Sequence, residues 1–111
     1  MINYTVGKKT KIFPGAQISP YAIIGKNCKI SSGVMIGRCQ LGDNVYVGFR
    51  ANIYNGVVIG NNVKIEKYVT IFPGSVINDG AILESNCAVE GIVGPNDKIG
   101  AGSNYVKHIL R

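Results

Sequence analysis

The sequence predicts an all-β protein, a single-stranded parallel β-helix of about five triangular coils, and three observations support this prediction. Aliphatic residues that branch at Cβ dominate, with 16 Ile and 12 Val against 3 Leu. Branching at Cβ favours strands over helices. The 15 glycines are about twice the usual share and predict many tight turns. An aliphatic residue also returns every six residues along most of the chain.

The six-residue repeat is nearly unbroken. A period of six fits neither a helix nor a continuous strand, but it fits a short strand followed by a tight corner. The one interval of five, from Ile36 to Leu41, predicts a single tightened corner. The fourteen anchors are Ile12, Ile18, Ile24, Ile30, Ile36, Leu41, Val47, Ile53, Ile59, Ile65, Ile71, Ile77, Leu83 and Val89.

A second period shows how the units close into coils. The segments 24–28, 41–45 and 59–63 share an aliphatic-Gly-x-Asn pattern at spacings of 17 and 18 residues. Three six-residue units would therefore form one coil, and the same corner would return in each. We expect Ile24, Leu41, Ile59 and Ile77 to stack inside one face. We also expect the repeated asparagines to form a ladder at this corner; they are Asn27, Asn44 and Asn62.

One domain accounts for residues 1–111, with repeats over about 10–107. Two places are irregular. Val93 follows Val89 by only four residues, which indicates either a shortened corner or a small loop over 89–98. The segment 105–111 fits a short terminal helix or strand. The three cysteines occupy inward positions of the repeat and are interpreted as small core residues.

Side chains alternate inward and outward along each strand, so the outward residues of stacked coils form one column on each of the three faces. The third column is apolar and is followed by glycines, which indicates a partner surface. We expect a homotrimer through the face bearing Ile23, Val58 and Val76, with Tyr54 and Phe72 of the second column able to join the contact. The first column contains Lys11, Lys29 and Lys64, which form either a solvated face or an attractor for a phosphate or an anionic polymer.

Three segments resemble the hexapeptide-repeat acyltransferases, and most closely their serine acetyltransferase and sugar O-acetyltransferase branch. The segment 53–60, IYNGVVIG, is similar to that branch's IYQGVTIG, and 71–75, IFPGS, is similar to IGAGA. The segment 99–107, IGAGSNYVK, is similar to IGAGSVVxK of the last coil. The resemblance covers nearly the whole repeat region.

This resemblance implies a left-handed coil, a homotrimer and acetyl-CoA as co-substrate. A slim pantetheine arm would lie in a groove between neighbouring subunits, against small residues whose backbone groups recognise it. The ammonium of Lys107 would contact a CoA phosphate. The residues implied to bind CoA are Gly74, Ser75, Gly100, Ala101, Gly102, Ser103 and Lys107.

The sequence departs from the branch at the catalytic base. The branch carries a catalytic histidine at mid-helix and a long loop after IYQGVTIG, and both are missing here. The single histidine, His108, is a weak candidate that would serve only if the chain end folds towards a neighbouring subunit, and otherwise is solvated or makes a structural contact. The remaining carboxylates lie at turns or outward positions, where solvation is their simplest interpretation; they are Asp43, Asp79, Asp97, Glu66 and Glu84.

Two function classes stay open. The first is a CoA-dependent acyltransferase that acetylates a hydroxyl or amine of a sugar or small metabolite. The second is a non-catalytic trimeric scaffold or binding module. We expect no metal site, because the cysteines form no close pairs and one histidine cannot supply a three-histidine zinc site. We expect no nucleic-acid partner and no membrane segment, and, without a signal peptide, a cytoplasmic location.

Overall fold

The computed structural model describes residues 3–108, and this part of the chain contains 17 short strands and no helix. All strand pairs are parallel, and each of three faces stacks six strands. The predicted all-β coil is therefore confirmed, as a β-solenoid of about six turns where the sequence predicted about five. The extra turn comes from Thr5–Val6 and Asn104–Lys107, which pair beyond the aliphatic anchors. No helix in the described residues is long and apolar enough to cross a membrane.

Each face takes every third strand. The basic face contains β2 (Lys11–Ile12), β5 (Lys29–Ile30), β8 (Tyr46–Val47), β11 (Lys64–Ile65), β14 (Ile82–Leu83) and β16 (Lys98–Ile99). The aromatic face contains β3 (Gln17–Ile18), β6 (Met35–Ile36), β9 (Asn52–Ile53), β12 (Thr70–Ile71), the start of β15 (Ala88–Val93) and β17 (Asn104–Lys107). The apolar face contains β1 (Thr5–Val6), β4 (Ile23–Ile24), β7 (Gln40–Leu41), β10 (Val58–Ile59), β13 (Val76–Ile77) and the end of β15.

The core confirms the predicted inward register. The second residue of each two-residue strand from β4 onward is buried, and the four residues expected to stack on one face pair in register; they are Ile24, Leu41, Ile59 and Ile77. All three cysteines are buried as expected. Ile12 and Ile18 are only half-buried because they lie in the first turn, where no earlier coil covers them.

The corner between the apolar and basic faces, the ladder corner, is regular in every turn. Here the predicted asparagine ladder is wrong in its residues. Asn27, Asn44 and Asn62 instead supply left-handed backbone, with φ of 57°, 59° and 59°, which asparagine tolerates better than most residues.

The ladder is formed by side chains that stand one position earlier in the corner than these asparagines do. Asp43 Oδ1 accepts the Lys26 N–H at 3.0 Å, Asn61 Oδ1 accepts the Asp43 N–H at 2.8 Å, and Asp79 Oδ1 accepts the Asn61 N–H at 2.7 Å. Each side-chain oxygen fills the space that a Cβ would need on the glycine one turn earlier, so the pattern Gly-x-Asn has a packing cause. The glycines concerned are Gly25, Gly42 and Gly60.

The corner between the aromatic and apolar faces, the irregular corner, contains both breaks in the six-residue period. The predicted tightened corner is confirmed, because only residues 37–39 connect β6 to β7. At the second break the shortened corner is the correct alternative, since β15 runs through the bend and pairs with β12 at its start and with β13 at its end. Gly91 makes this bend at φ 108°.

Candidate functional site

The residues expected to bind CoA lie at two corners of the solenoid. Gly74 and Ser75 are at the irregular corner, whereas residues 100–103 are at the corner between the basic and aromatic faces. A strand of the aromatic face separates the two positions. One groove could therefore include both motifs only where two subunits meet, as the resemblance implies.

Gly74 and Gly102 present open backbone at their corners. Both have positive φ, of 76° and 73°, and no atom lies within 4 Å of the place where a Cβ would stand. Gly100, Ala101 and Ser103 are exposed as well. These positions suit contact between a ligand and the main chain.

Ser75 faces the interior and not a groove. It is the one buried polar residue among those described. Its hydroxyl donates to the Phe72 carbonyl at 2.8 Å and accepts the Gly91 N–H at 3.0 Å. The Ser75 side chain thus holds the shortened bend in place, and only its backbone could contact a ligand.

The bend at Gly91 brings the end of the chain onto the irregular corner. β17 pairs with β15 so that Gly91 is opposite Lys107, and a Cβ on Gly91 would collide with the Lys107 carbonyl. The Tyr105 hydroxyl donates to the Ile92 carbonyl at 2.6 Å and anchors the same strand. Lys107 and His108 are exposed at this position.

His108 contacts a carboxylate of its own chain. Its Nε2 lies 2.8 Å from Glu90 Oε2, and both side chains are about half exposed, at 58% and 44%. A carboxylate that accepts from one imidazole nitrogen leaves the other, Nδ1, free to accept a proton. Sequence reasoning did not identify Glu90, because it lies in the segment whose course stayed open.

Two aromatic rings continue the surface from this pair along the aromatic face. Tyr54 and Phe72 are stacked with centroids 6.1 Å apart and an interplanar angle of 8°, and both are partly exposed. They occupy the same outward column as Glu90, in the two preceding turns.

A groove lies beyond the aromatic pair, towards the N-terminal end of the same face. Its volume is ≈ 290 Å³. It lies where the small residues Ser19 and Gly37 hold the outward positions that Tyr54 and Phe72 hold in later turns. The remaining outward side chains around it are amides or uncharged groups; they are Gln17, Met35, Asn52, Tyr54 and Asn55. No charged side chain lines this groove.

The carboxylates other than Glu90 each have a partner in the structure. Asp43 and Asp79 accept in the ladder corner, and Asp97 accepts the Gly94 N–H at 3.0 Å. Glu66 accepts from Ser85 and lies 3.8 Å from Lys64; Glu84 accepts the Ala101 N–H and lies 3.3 Å from Lys98. This pattern favours structural roles for these five residues.

The lysine column of the basic face is largely occupied too. The Lys29 ammonium lies 5.4 Å from the Phe13 ring centroid and 5.7 Å from that of Tyr46, and Lys64 pairs with Glu66. A second groove of ≈ 320 Å³ on this face includes the Glu66 carboxylate. These contacts favour a structural, solvated face over an anion site.

The cysteines offer no reactive thiol. Burial raises the pKa of the Cys87 thiol to about 11 and also raises the pKa of Cys39. Both thiols therefore stay protonated near neutral pH, and a thiol is a poor nucleophile. No group of three metal-binding side chains occurs within residues 3–108.

Comparison with known proteins identifies the family of the repeat. The model of the bacterial transferase hexapeptide (six repeats) matches residues 3–38 and 38–72. Serine acetyltransferase of Bacillus pumilus is 32% identical over 94% of this chain and 46% of its own length. UDP-3-O-acylglucosamine N-acyltransferase of Rickettsia canadensis is 38% identical over 80% of this chain and 27% of its own length.

A third relative, the bifunctional protein GlmU of Listeria welshimeri, is 29% identical over 96% of this chain and 27% of its own length. The chain thus spans less than half the length of each of these relatives. The matched part is the repeat.

Proposed function

Because this chain belongs to the bacterial transferase hexapeptide family, we propose that it is an acyltransferase that moves an acyl group, most simply acetyl, from acyl-CoA to a hydroxyl or amine of a sugar or small metabolite. The names of the relatives describe transfer of acyl groups to serine and to a glucosamine nitrogen. The three free cysteines fit the cytoplasm, where thiols stay reduced.

The observation that carries this proposal is the contact between His108 Nε2 and Glu90 Oε2, with its 2.8 Å separation. With Glu90 accepting from Nε2–H, His108 Nδ1 takes the proton from the acceptor hydroxyl or amine as that group attacks the thioester carbonyl. The carbon–sulfur bond then breaks, and the proton passes from His108 to the departing CoA thiolate. Glu90 acts as a positioning residue for the imidazole.

The donor would be held by exposed main chain at the two corners. Gly74 stands at the irregular corner, and Gly100, Ala101, Gly102 and Ser103 stand at the corner between the basic and aromatic faces. Ser75 would take part only through its backbone. We propose that a homotrimer brings these corners of neighbouring subunits together, through the apolar face that bears Ile23, Val58 and Val76. Lys107, which is exposed beside the irregular corner, is the proposed partner of a CoA phosphate.

The second candidate is a non-catalytic trimeric scaffold. Within residues 3–108, each of the five other carboxylates has a hydrogen-bond or ion-pair partner. His108 and Glu90 are therefore the only acid–base pair that this part of the chain places on the proposed surface, and this favours the scaffold. It is also favoured by the half-exposed position of that pair, since catalytic groups are usually more enclosed.

A thiol-release assay with acetyl-CoA tests the proposal. The buried cysteines keep the protein's own contribution to the signal low. Amino sugars, neutral sugars and amino acids are offered as acceptors. We expect His108→Gln to lower kcat at least a hundredfold, since general base catalysis contributes about 10²–10⁴-fold, and Glu90→Gln to lower it less.

Glu66→Gln is the matched control, because it removes a carboxylate that pairs with a lysine and makes no contact with the proposed site residues. It should leave kcat within twofold of wild type. If the wild-type protein binds neither CoA nor acetyl-CoA at millimolar concentration and turns over no acceptor, the transferase proposal is wrong and the scaffold alternative stands.

A further inference from the structure

The aromatic stack of the aromatic face ends at the uncharged groove. Tyr54 and Phe72 hold the same outward position in successive turns, and their rings are parallel to within 8° with centroids 6.1 Å apart. In the turn before Tyr54 this position belongs to Gly37. Because glycine has no side chain, the column leaves the second face of the Tyr54 ring uncovered, and Tyr54 lines the groove at this place.

The open space above Gly37 is fixed by the corner beside it. A Cβ on Gly37 would collide with Asn55 Oδ1, and that oxygen accepts the Arg38 N–H at 2.8 Å. The hydrogen bond sets the orientation of the amide, so Asn55 Nδ2 remains as a donor for a ligand at the rim of the groove.

Two further amides lie on the opposite side of the groove, in the neighbouring outward column. Gln17 and Asn52 stand there on either side of Met35. The side-chain hydrogen bonds within residues 3–108 involve neither amide group. Each amide therefore offers both donors and an acceptor to a bound molecule.

The charge and size of the groove limit its occupant. No charged side chain lines it, and the guanidinium of neighbouring Arg38 lies 5.5 Å from the Tyr21 ring centre, towards the preceding turn. The groove of the basic face, by contrast, includes Lys64, Glu66 and Lys67. A volume of ≈ 290 Å³ is at the lower end of small-molecule sites, which begin at about 300 Å³. An uncharged ligand with a single ring fits these conditions.

We propose that this groove binds a neutral pyranose sugar whose ring lies above Gly37 and stacks on the uncovered face of Tyr54. A pyranose with equatorial hydroxyls has only C–H bonds on its two faces, so it continues the aromatic stack as a third ring. Its hydroxyls point sideways, where they meet the amides of Gln17, Asn52 and Asn55. A hydroxyl both donates and accepts, as these amides do.

The proposed sugar site is separate from the proposed catalytic pair. Gly37 follows β6 and His108 follows β17, four strands further along the aromatic face, or roughly 19 Å at a strand spacing of about 4.8 Å. A single pyranose above Gly37 therefore does not reach His108. The site is a binding function in addition to acyl transfer, and it does not rest on the proposed transferase function.

Titration of the ¹⁵N-labelled protein with methyl β-D-glucopyranoside, followed by NMR, tests the site. We expect the amide signals of Ser19, Gly37 and Tyr54 to shift. Tyr54→Ala should raise Kd about tenfold because the stacking surface is lost, whereas Tyr54→Phe keeps the ring and should stay within twofold. Asn52→Leu, which removes an amide of similar size, should raise Kd several-fold.

Tyr68→Ala is the matched control. Tyr68 is as exposed as Tyr54, at 45% against 44%, and it also belongs to an aromatic pair, with Phe49, but it does not line the groove. This variant should change Kd less than twofold, and thermal melting shows that each variant is folded. Ser19→Phe fills the groove from an outward position that holds aromatic residues in later turns, and it should abolish binding in a folded protein.

Three results would overturn the sugar site. The first is no binding of the glucoside to the wild-type protein at tens of millimolar, or an equal loss in Tyr68→Ala and Tyr54→Ala. The second is binding of adenosine without binding of the glucoside, which would assign the groove to planar aromatic ligands. The third is a change of oligomeric state in Tyr54→Ala, measured by sedimentation, which would assign the stack to a subunit contact.

The sugar site and the transferase fail separately. Glucoside binding that depends on Tyr54, in a protein that releases no thiol from acetyl-CoA, supports the site and overturns the transferase. Acyl transfer by a protein that does not bind the glucoside supports the transferase and overturns the site.

Discussion

The ladder corner and the irregular corner differ in the length of their turns and in the side chains that they carry. At the ladder corner each turn has the same length, and its side chains accept main-chain hydrogen bonds from the turn before. At the irregular corner one turn is one residue shorter than the others, and another is two residues shorter. The second corner carries Arg38, Tyr21, Glu90 and His108. Regularity here serves the fold, and the shortened bend at Gly91 places Glu90 and His108, the proposed catalytic pair, side by side.

The faces on either side repeat this contrast. The apolar and aromatic faces meet at the irregular corner and carry exposed aliphatic and aromatic groups, including Ile23, Val58, Tyr54 and Phe72. The basic face does not touch that corner, and its outward column contains four lysines, two of them in ion pairs. Subunit contacts through the apolar face would bring the irregular corner beside a neighbouring subunit, as the proposed donor site requires.

The largest effect is expected for Val58→Asp, which breaks the proposed contact on the apolar face. Three carboxylates would be buried without partners, which costs several kcal/mol per ion. Analytical ultracentrifugation should find a trimer for wild type and about one third of that mass for the variant. Ile82→Asp, at the equivalent outward position of the basic face, is the control and should stay trimeric. A wild-type monomer, or a trimeric Val58→Asp, would show that this face is not the interface.

Gly91→Ala tests the bend at the irregular corner. The new Cβ would collide with the Lys107 carbonyl while φ is 108°, so the end of the chain must leave its place. We expect a loss of about 3 kcal/mol in the free energy of unfolding, measured by urea denaturation. Gly102→Ala is its counterpart, with positive φ but open space around the Cβ, and should cost only about 1 kcal/mol. Equal losses would mean that backbone strain, and not the packing of β17, sets the need for glycine at position 91.

The sequence could predict the part of the molecule that repeats. The anchors, the three outward columns and the tightened corner after Ile36 follow from a six-residue period, because each turn must bury the same side of the same short strand. Pairing of Lys11, Lys29 and Lys64 in one column is an example.

The candidate site could be predicted only in fragments. The pairing of Glu90 with His108 depends on the bend at Gly91, which breaks the period and so has no precedent in the other turns. The resemblance implies a ligand contact for Ser75, but it gives no sign that the Ser75 hydroxyl holds this bend. The predicted ladder is one residue out in each corner, because a pattern of residue types does not say which side chain accepts the hydrogen bond from the neighbouring turn.

The smallest effect is expected at the regular corner, for Asp79→Ala. The change removes the acceptor of the Asn61 N–H, a hydrogen bond of 2.7 Å at an exposed position, and should lower the free energy of unfolding by about 1 kcal/mol. Asp79→Asn keeps an oxygen at the same place and should lie within a few tenths of a kcal/mol of wild type. Urea denaturation of both variants measures the difference, and neither should change acyl transfer, since the ladder is at a different corner from His108. A loss of activity in Asp79→Ala would contradict the division between a corner that builds the fold and a corner that carries the chemistry.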